Sequence, residues 1–213
     1  MDTPIAITNM LKQQMRTNGI LDDAILSLYR QIPRERFVPS AYHDFAYADM
    51  NIPIAHEQCM LSPLLEAQIL SFLAVQSSDR VLEVGTGRGY LTALVAAQAK
   101  HVTSVEIFPE LTTQASDNLK PFNFDNISCE IGNAGLGWGQ GFFDVIILSG
   151  SITQYPHELL AQLSLNGRLF AVIGERDPMK ACLFNQGSAQ PDILFETSLP
   201  PLLAMPKENK FHF

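Results

Sequence analysis

The chain has 213 residues, with 46% hydrophobic residues and 14 Lys and Arg against 22 Asp and Glu, a formal net charge of −8. That length is short for two ordinary domains and ample for one with a large core, and 13 Gly with 13 Pro is near-average usage that excludes collagen-like and low-complexity chains. The acidic balance lacks the basic stripe that phosphate neutralisation requires, so neither nucleic acid nor an anionic membrane surface is an expected partner. Cys59, Cys129 and Cys182 are widely separated and form no CxxC, and the five histidines show no ligand spacing, so neither a disulfide framework nor a metal site is expected. The opening MDTPIAITNMLKQQM has no basic flank leading into an apolar run, and no stretch of about 18 apolar residues occurs. The expectation is a soluble cytoplasmic protein whose residues 1–213 form a single domain.

In chain order, residues 1–50 read as helical, with stretches over Asn9–Thr17 and Asp22–Gln31 separated by Gly19. Pro33 and Pro39 disfavour helix at the residues before them and end the second stretch. Residues 51–63 have no clear period and read as a loop, and helix returns from Pro63 to Ala74. Residues up to about 60 thus form an N-terminal helical cap. From residue 81 the pattern changes: strands at Val81–Val84, His101–Val105, Asn126–Ile131, Phe143–Leu148 and Arg168–Ile173 alternate with helices at Gly89–Ala99, Pro109–Leu119 and Pro156–Leu163. That alternation predicts right-handed βαβ units and a mostly parallel sheet covered on both faces. Residues 193–204 could add strands at an edge, where Pro200 and Pro201 are tolerated.

The strongest chemical signal is Val81-Leu82-Glu83-Val84-Gly85-Thr86-Gly87-Arg88-Gly89-Tyr90. A buried strand runs into glycines at every second residue, and glycine lets backbone approach a ligand without a Cβ in the way. The spacing is GxGxG, not the GxGxxG of a dinucleotide fold, and Glu83 at the strand end suits an amine-bearing ligand better than a pyrophosphate. Glu106, about twenty residues on at the next strand end, is placed to accept from ribose hydroxyls. The combination points to S-adenosylmethionine, with Asn133 near the third strand end meeting the adenine. Thr86 and Tyr90 in the loop, and Ile107, Ala134 and Ser149 beside the strand ends, complete the expected cofactor set.

Over nearly its whole length the chain also resembles the protein-L-isoaspartate O-methyltransferases. The resemblance rests on Asn18-Gly19-Ile20, on Ile32-Pro33-Arg34-Glu35-Arg36-Phe37-Val38, on VLEVGTGRGYLTALVA (81–96), and on Phe143–Ile147, Pro156–Leu163, Asn166–Leu169 and LPPLLA (199–204), all in family order. It implies a doubly wound, seven-stranded, mostly parallel α/β sheet of the methyltransferase type. It also implies methyl transfer from S-adenosylmethionine to the α-carboxylate of L-isoaspartyl residues in damaged proteins. The acceptor is already a carboxylate, so the task is positioning and needs no strong base.

Three departures from the family pattern stand out. The substrate loop "GQTISxP" reads Glu57-Gln58-Cys59-Met60-Leu61-Ser62-Pro63, with Cys59 and Leu61 where the family has Thr and Ser. Ser62, one residue on, is then the candidate catalytic hydroxyl, with a helix cap before Pro63 as its other reading. Gly132-Asn133-Ala134 replaces an Asp-Gly pair, and Ser149-Gly150-Ser151 replaces Thr-Ala-Ala. These changes leave two further readings open: a divergent member methylating a different acceptor, and a catalytically silent S-adenosylmethionine-binding protein. Cys59 and His56 read as loop residues and not as a nucleophile and base, while Trp138 either packs on the sheet or walls the adenine pocket.

Overall fold

A computed structural model describes residues 3–203. Helix α1 (Thr3–Asn9) starts earlier than the pattern suggests and continues as a π-helical turn, Met10–Met15, and a 3₁₀ turn, Arg16–Asn18. The wider π turn brings Met10 and Met15, five residues apart, inward together. Gly19, at φ 85°, ends the run. Helix α2 (Asp23–Gln31) is capped by Asp22, which accepts from the Ala24 N–H. The stretch expected to be a loop contains a small hairpin, β1 (Ile52–Pro53) and β2 (Cys59–Met60), antiparallel with Ile52 opposite Met60. Strands of two residues are too short to carry a period.

Helix α3 (Pro63–Leu73) leads into β3 (Arg80–Val84), α4 (Tyr90–Ala96), β4 (His101–Glu106), α5 (Pro109–Leu119) and β5 (Ile127–Ile131). Next come β6 (Phe143–Ile152), the short α6 (His157–Leu160), β7 (Leu163–Ile173), β8 (Met179–Asn185) and β9 (Asp192–Thr197). Among the described residues these build a seven-stranded sheet of order β5-β4-β3-β6-β7-β8-β9. The first five in that order are mutually parallel, and β8 and β9 close the edge antiparallel.

Several boundaries differ from expectation, and α4 stops at Ala96, short of the expected Ala99. α6 stops at Leu160 because β7 begins at Leu163, reached through an irregular register between Leu163 and Arg168 that absorbs Asn166-Gly167. β6 runs on to Ile152. β8 was not anticipated. Of the tail, Asp192–Thr197 is the edge strand, Pro201 bridges to Ser151, and Ala204 lies outside the described residues.

Side chains alternate across the parallel strands, so both sheet faces are buried. Val81, Val145 and Ile147 face one apolar cluster together with Met10, Leu26, Phe37, Ile69 and Leu94 of the helices. Leu82, Ile146 and Leu148 face a second, with Leu159 and Phe184. Among the described residues no helix is long and apolar enough to cross a membrane.

Candidate active site

β3 has β4 on one side and β6 on the other, so chain direction around the sheet reverses there. The crevice beyond the strand carboxyl ends at such a reversal is where open α/β sheets bind ligands. A cavity lies there, with an open volume of about 780 Å³ including its mouth, bounded by the β3–α4 loop, the ends of β4 and β6, the β1–β2 hairpin and Leu202.

Two of the three loop glycines shape it. Gly85 (φ 97°) donates its N–H to the Val105 carbonyl at 2.8 Å, and a Cβ there would lie 3.3 Å from the Leu202 side chain and 3.4 Å from Ser149 Cβ. A Cβ on Gly87 (φ 55°) would meet Ile54 at 3.5 Å across the cavity. Gly89 does not line the cavity: its missing Cβ lets α5 approach, with Ala115 Cβ 3.2 Å from where one would be.

The acidic residues stand on either side of the loop. Glu83 is buried, and its Oε2 accepts from Thr92 at 2.5 Å and Ser104 at 2.6 Å. Its Oε1 is buried with no hydrogen-bond partner among the described residues. Burial pushes the Glu83 carboxyl up to about 7, against the two hydroxyl donors that favour its charged form. Thr86, expected to face the ligand, spends its hydroxyl on Ser104 Oγ at 2.6 Å, although the residue still borders the cavity. Glu106 accepts from the Gly87 N–H at 2.9 Å and the Phe108 N–H at 3.1 Å, so the loop and the β4 end are fixed to one carboxylate. Its oxygens keep lone pairs for further donors. Asn133 accepts from the Gly135 N–H at 2.9 Å through the amide oxygen. With Ala134 and the exposed Ile107 it forms the rim on the β4–β5 side.

The hairpin forms the opposite wall. Gln58, Cys59 and Leu61 all line the cavity. Burial pushes the Cys59 thiol up to about 11, so it stays protonated at neutral pH and is no thiolate nucleophile. Ser62, the candidate catalytic hydroxyl, is a correction: it is the N-cap of α3, accepting from the Leu65 N–H, and does not line the cavity. Pro63 at the first helical position fixes that arrangement. His56 stacks on Phe108 with ring centroids 3.9 Å apart and reaches Glu110 at 3.4 Å, joining the hairpin to the β4–α5 turn. Trp138 packs on the sheet edge, donating to Glu130 at 2.8 Å, and Ser151 donates to the Leu199 carbonyl at 3.1 Å.

Sequence reasoning missed the support beneath the hairpin. Arg34 is fully buried, donates to Glu66 Oε2 and to the Leu61 carbonyl, and lies 4.9 Å from the Tyr90 ring centroid. Burial pushes Glu66 up to about 7, and Arg34 pulls against that shift. Tyr90 borders the cavity and donates its hydroxyl to the Ile32 carbonyl at 3.2 Å. The signal for the pair was a lone charge inside the apolar run LLEAQIL, since a buried charge needs a partner. Leu202, across the crevice, was legible only as a tail residue.

A sequence model of the family described as Protein-L-isoaspartate(D-aspartate) O-methyltransferase (PCMT) matches residues 6–196. A protein-L-isoaspartate O-methyltransferase of Aliivibrio fischeri (strain MJ11) is 35% identical over 199 residues, covering 92% of this chain and 96% of that relative. One from Picosynechococcus sp. is 37% identical over 166 residues, covering 78% and 75%. The fold is similar to the crystal structure of a putative protein-L-isoaspartate O-methyltransferase from Plasmodium falciparum in complex with S-adenosyl-L-homocysteine. The TM-score is 0.79 at 22% identity, over 94% of this chain and 97% of that one. The chain belongs to the protein-L-isoaspartate(D-aspartate) O-methyltransferase family.

Proposed function

We propose that this protein methylates the free carboxylate of L-isoaspartyl residues in peptides and damaged proteins, using S-adenosylmethionine. The observation that carries this reading is the glycine cradle of Gly85 and Gly87 set between two buried carboxylates, Glu83 with an orphaned oxygen and Glu106 with lone pairs to spare. That acceptor set fits the cofactor: a carboxylate for its ammonium, a second for its ribose hydroxyls, and the rim of Ile107, Asn133 and Ala134 for its adenine. When bound, S-adenosylmethionine supplies a sulfonium methyl, and the acceptor oxygen forms the new C–O bond as the C–S bond breaks and its electron pair leaves on sulfur.

The chain's residues then act by holding and by excluding water. Met60, Leu61 and Leu202 give the acceptor side an apolar wall, which keeps solvent from competing for the carboxylate. Arg34 fixes the Leu61 carbonyl and so the hairpin, without itself entering the cavity. Since the nucleophile is already ionised, no side chain has to remove a proton. A cytoplasmic location, a single domain over residues 1–213 and a protein or peptide partner belong to the same proposal. The apolar cluster shared by the N-terminal helices and the sheet supports the single domain.

The test is mass spectrometry of an isoaspartyl peptide incubated with the protein and S-adenosylmethionine. One added methyl group, lost in mild base as expected of an ester, supports the reading. A base-stable methyl group points to a nitrogen acceptor and overturns it.

A further inference from the structure

Cys59 and Leu61 leave the hairpin without the hydroxyls of the family pattern, so the acceptor carboxylate needs a donor from elsewhere. Most nearby hydroxyls are already used. Ser62 caps α3, Ser151 holds the Leu199 carbonyl, Tyr90 holds the Ile32 carbonyl, and Thr86, Thr92 and Ser104 bond to one another and to Glu83. Ser149, expected from the sequence among the cofactor contacts, is different: it lines the cavity, and its Oγ is buried with no hydrogen-bond partner among the described residues, free for either ligand. A buried hydroxyl left unpaired carries a desolvation cost that a ligand can recover.

Its position is specific. Ser149 lies in β6 just after Leu148, whose neighbour in β3 is Val84, the residue before Gly85. It therefore stands across the reversal point from Glu106 and Asn133, which sit at or after the ends of β4 and β5. Ser149 Cβ is 3.4 Å from where a Gly85 Cβ would be, and Leu202 closes on the same point. We propose that Ser149 Oγ–H donates a hydrogen bond to the acceptor carboxylate and orients it, doing from β6 what Cys59 and Leu61 cannot do from the hairpin. The proposal rests on the isoaspartyl reading above. A single neutral donor suits the step: the carboxylate loses its charge as the ester forms, so a cation there would stabilise the starting state more than the transition state, whereas a hydroxyl orients at small cost.

The experiment is steady-state methyl transfer to an isoaspartyl peptide by the unaltered protein, Ser149→Ala and Ser149→Thr, with S-adenosylhomocysteine affinity measured by calorimetry on each. Ser149→Ala is expected to lose about ten- to a hundredfold in kcat/KM for the peptide, as for a lost hydrogen bond to a charged group, with cofactor affinity within about twofold. Ser149→Thr, which keeps the hydroxyl, is expected to recover most of that loss. Unchanged kcat/KM in Ser149→Ala overturns the role. So does a loss of cofactor affinity that matches the loss in rate, which would make Ser149 a cofactor ligand. An unaltered protein that binds the cofactor and leaves the isoaspartyl peptide unmethylated overturns the isoaspartyl reading itself, and the proposal with it.

Discussion

Glu83 and Ser62 show how differently two polar candidates for one site are decided by their surroundings. Glu83 is buried with one oxygen bonded and one free, and burial raises its carboxyl to about 7. In the unfolded chain it ionises near its ordinary value of 4.5, so its effect on stability is constant below that. Stability then falls as pH rises toward about 7, where the folded state ionises as well. An ammonium brought beside it favours the charged form. Calorimetry of S-adenosylhomocysteine binding should therefore show affinity rising from about pH 6 to about pH 8, and Glu83→Gln should bind about tenfold more weakly at pH 8 with a flatter profile. Ser62 is spent on the α3 N-terminus, so Ser62→Ala should cost about 1 kcal/mol in chemical denaturation and leave kcat/KM unchanged. A serine before a proline at a helix start reads equally well as cap or catalyst in sequence. What decides between them is where the hydroxyl points, and that depends on the chain around it.

Among the elements, the β1–β2 hairpin has a strained turn. His56 and Glu57 are consecutive non-glycine residues at φ 60° and 57°, closed by the Gln58 N–H to the Ala55 carbonyl. Left-handed conformations cost non-glycine residues about 1 kcal/mol or more each, and the stacking of His56 on Phe108 is one contact that holds the turn. Glu57→Gly should raise stability by about 0.5–1 kcal/mol in urea unfolding, provided His56 keeps its stack. In sequence the hairpin reads as a loop because its strands have two residues each. β8 was missed for another reason: its burial does not alternate strictly, since both Ala181 and Cys182 are buried where the β8–β9 register shifts. The central elements were legible because β3 and β6 hold the branched apolar runs Val81-Leu82 and Val145–Leu148 with glycine close by, and α5 begins at Pro109.

For the whole molecule, βα alternation and a glycine loop after β3 were enough to place a ligand at that strand's carboxyl end, and the strand order of the structure makes that end the sheet's reversal point, with Glu83 and Glu106 lining the cavity. The cap's contribution was not legible, because it depends on a contact between residues 32 positions apart, Arg34 and Glu66. That pair joins the cap to α3 beneath the hairpin, and its two charges are fully desolvated. Arg34→Met should cost about 3 kcal/mol or more in denaturant unfolding, since it leaves Glu66 buried without its partner. It should also loosen the Leu61 carbonyl and with it the acceptor wall. The central claim is that this cavity presents a sulfonium methyl to an isoaspartyl carboxylate. It is tested most directly by transfer of labelled methyl from S-adenosylmethionine to an isoaspartyl peptide, with the ordinary aspartyl peptide of the same sequence as control. Label on the isoaspartyl peptide, and none on its control, is the predicted result. Equal labelling of both peptides, or of neither while the cofactor still binds, would contradict it.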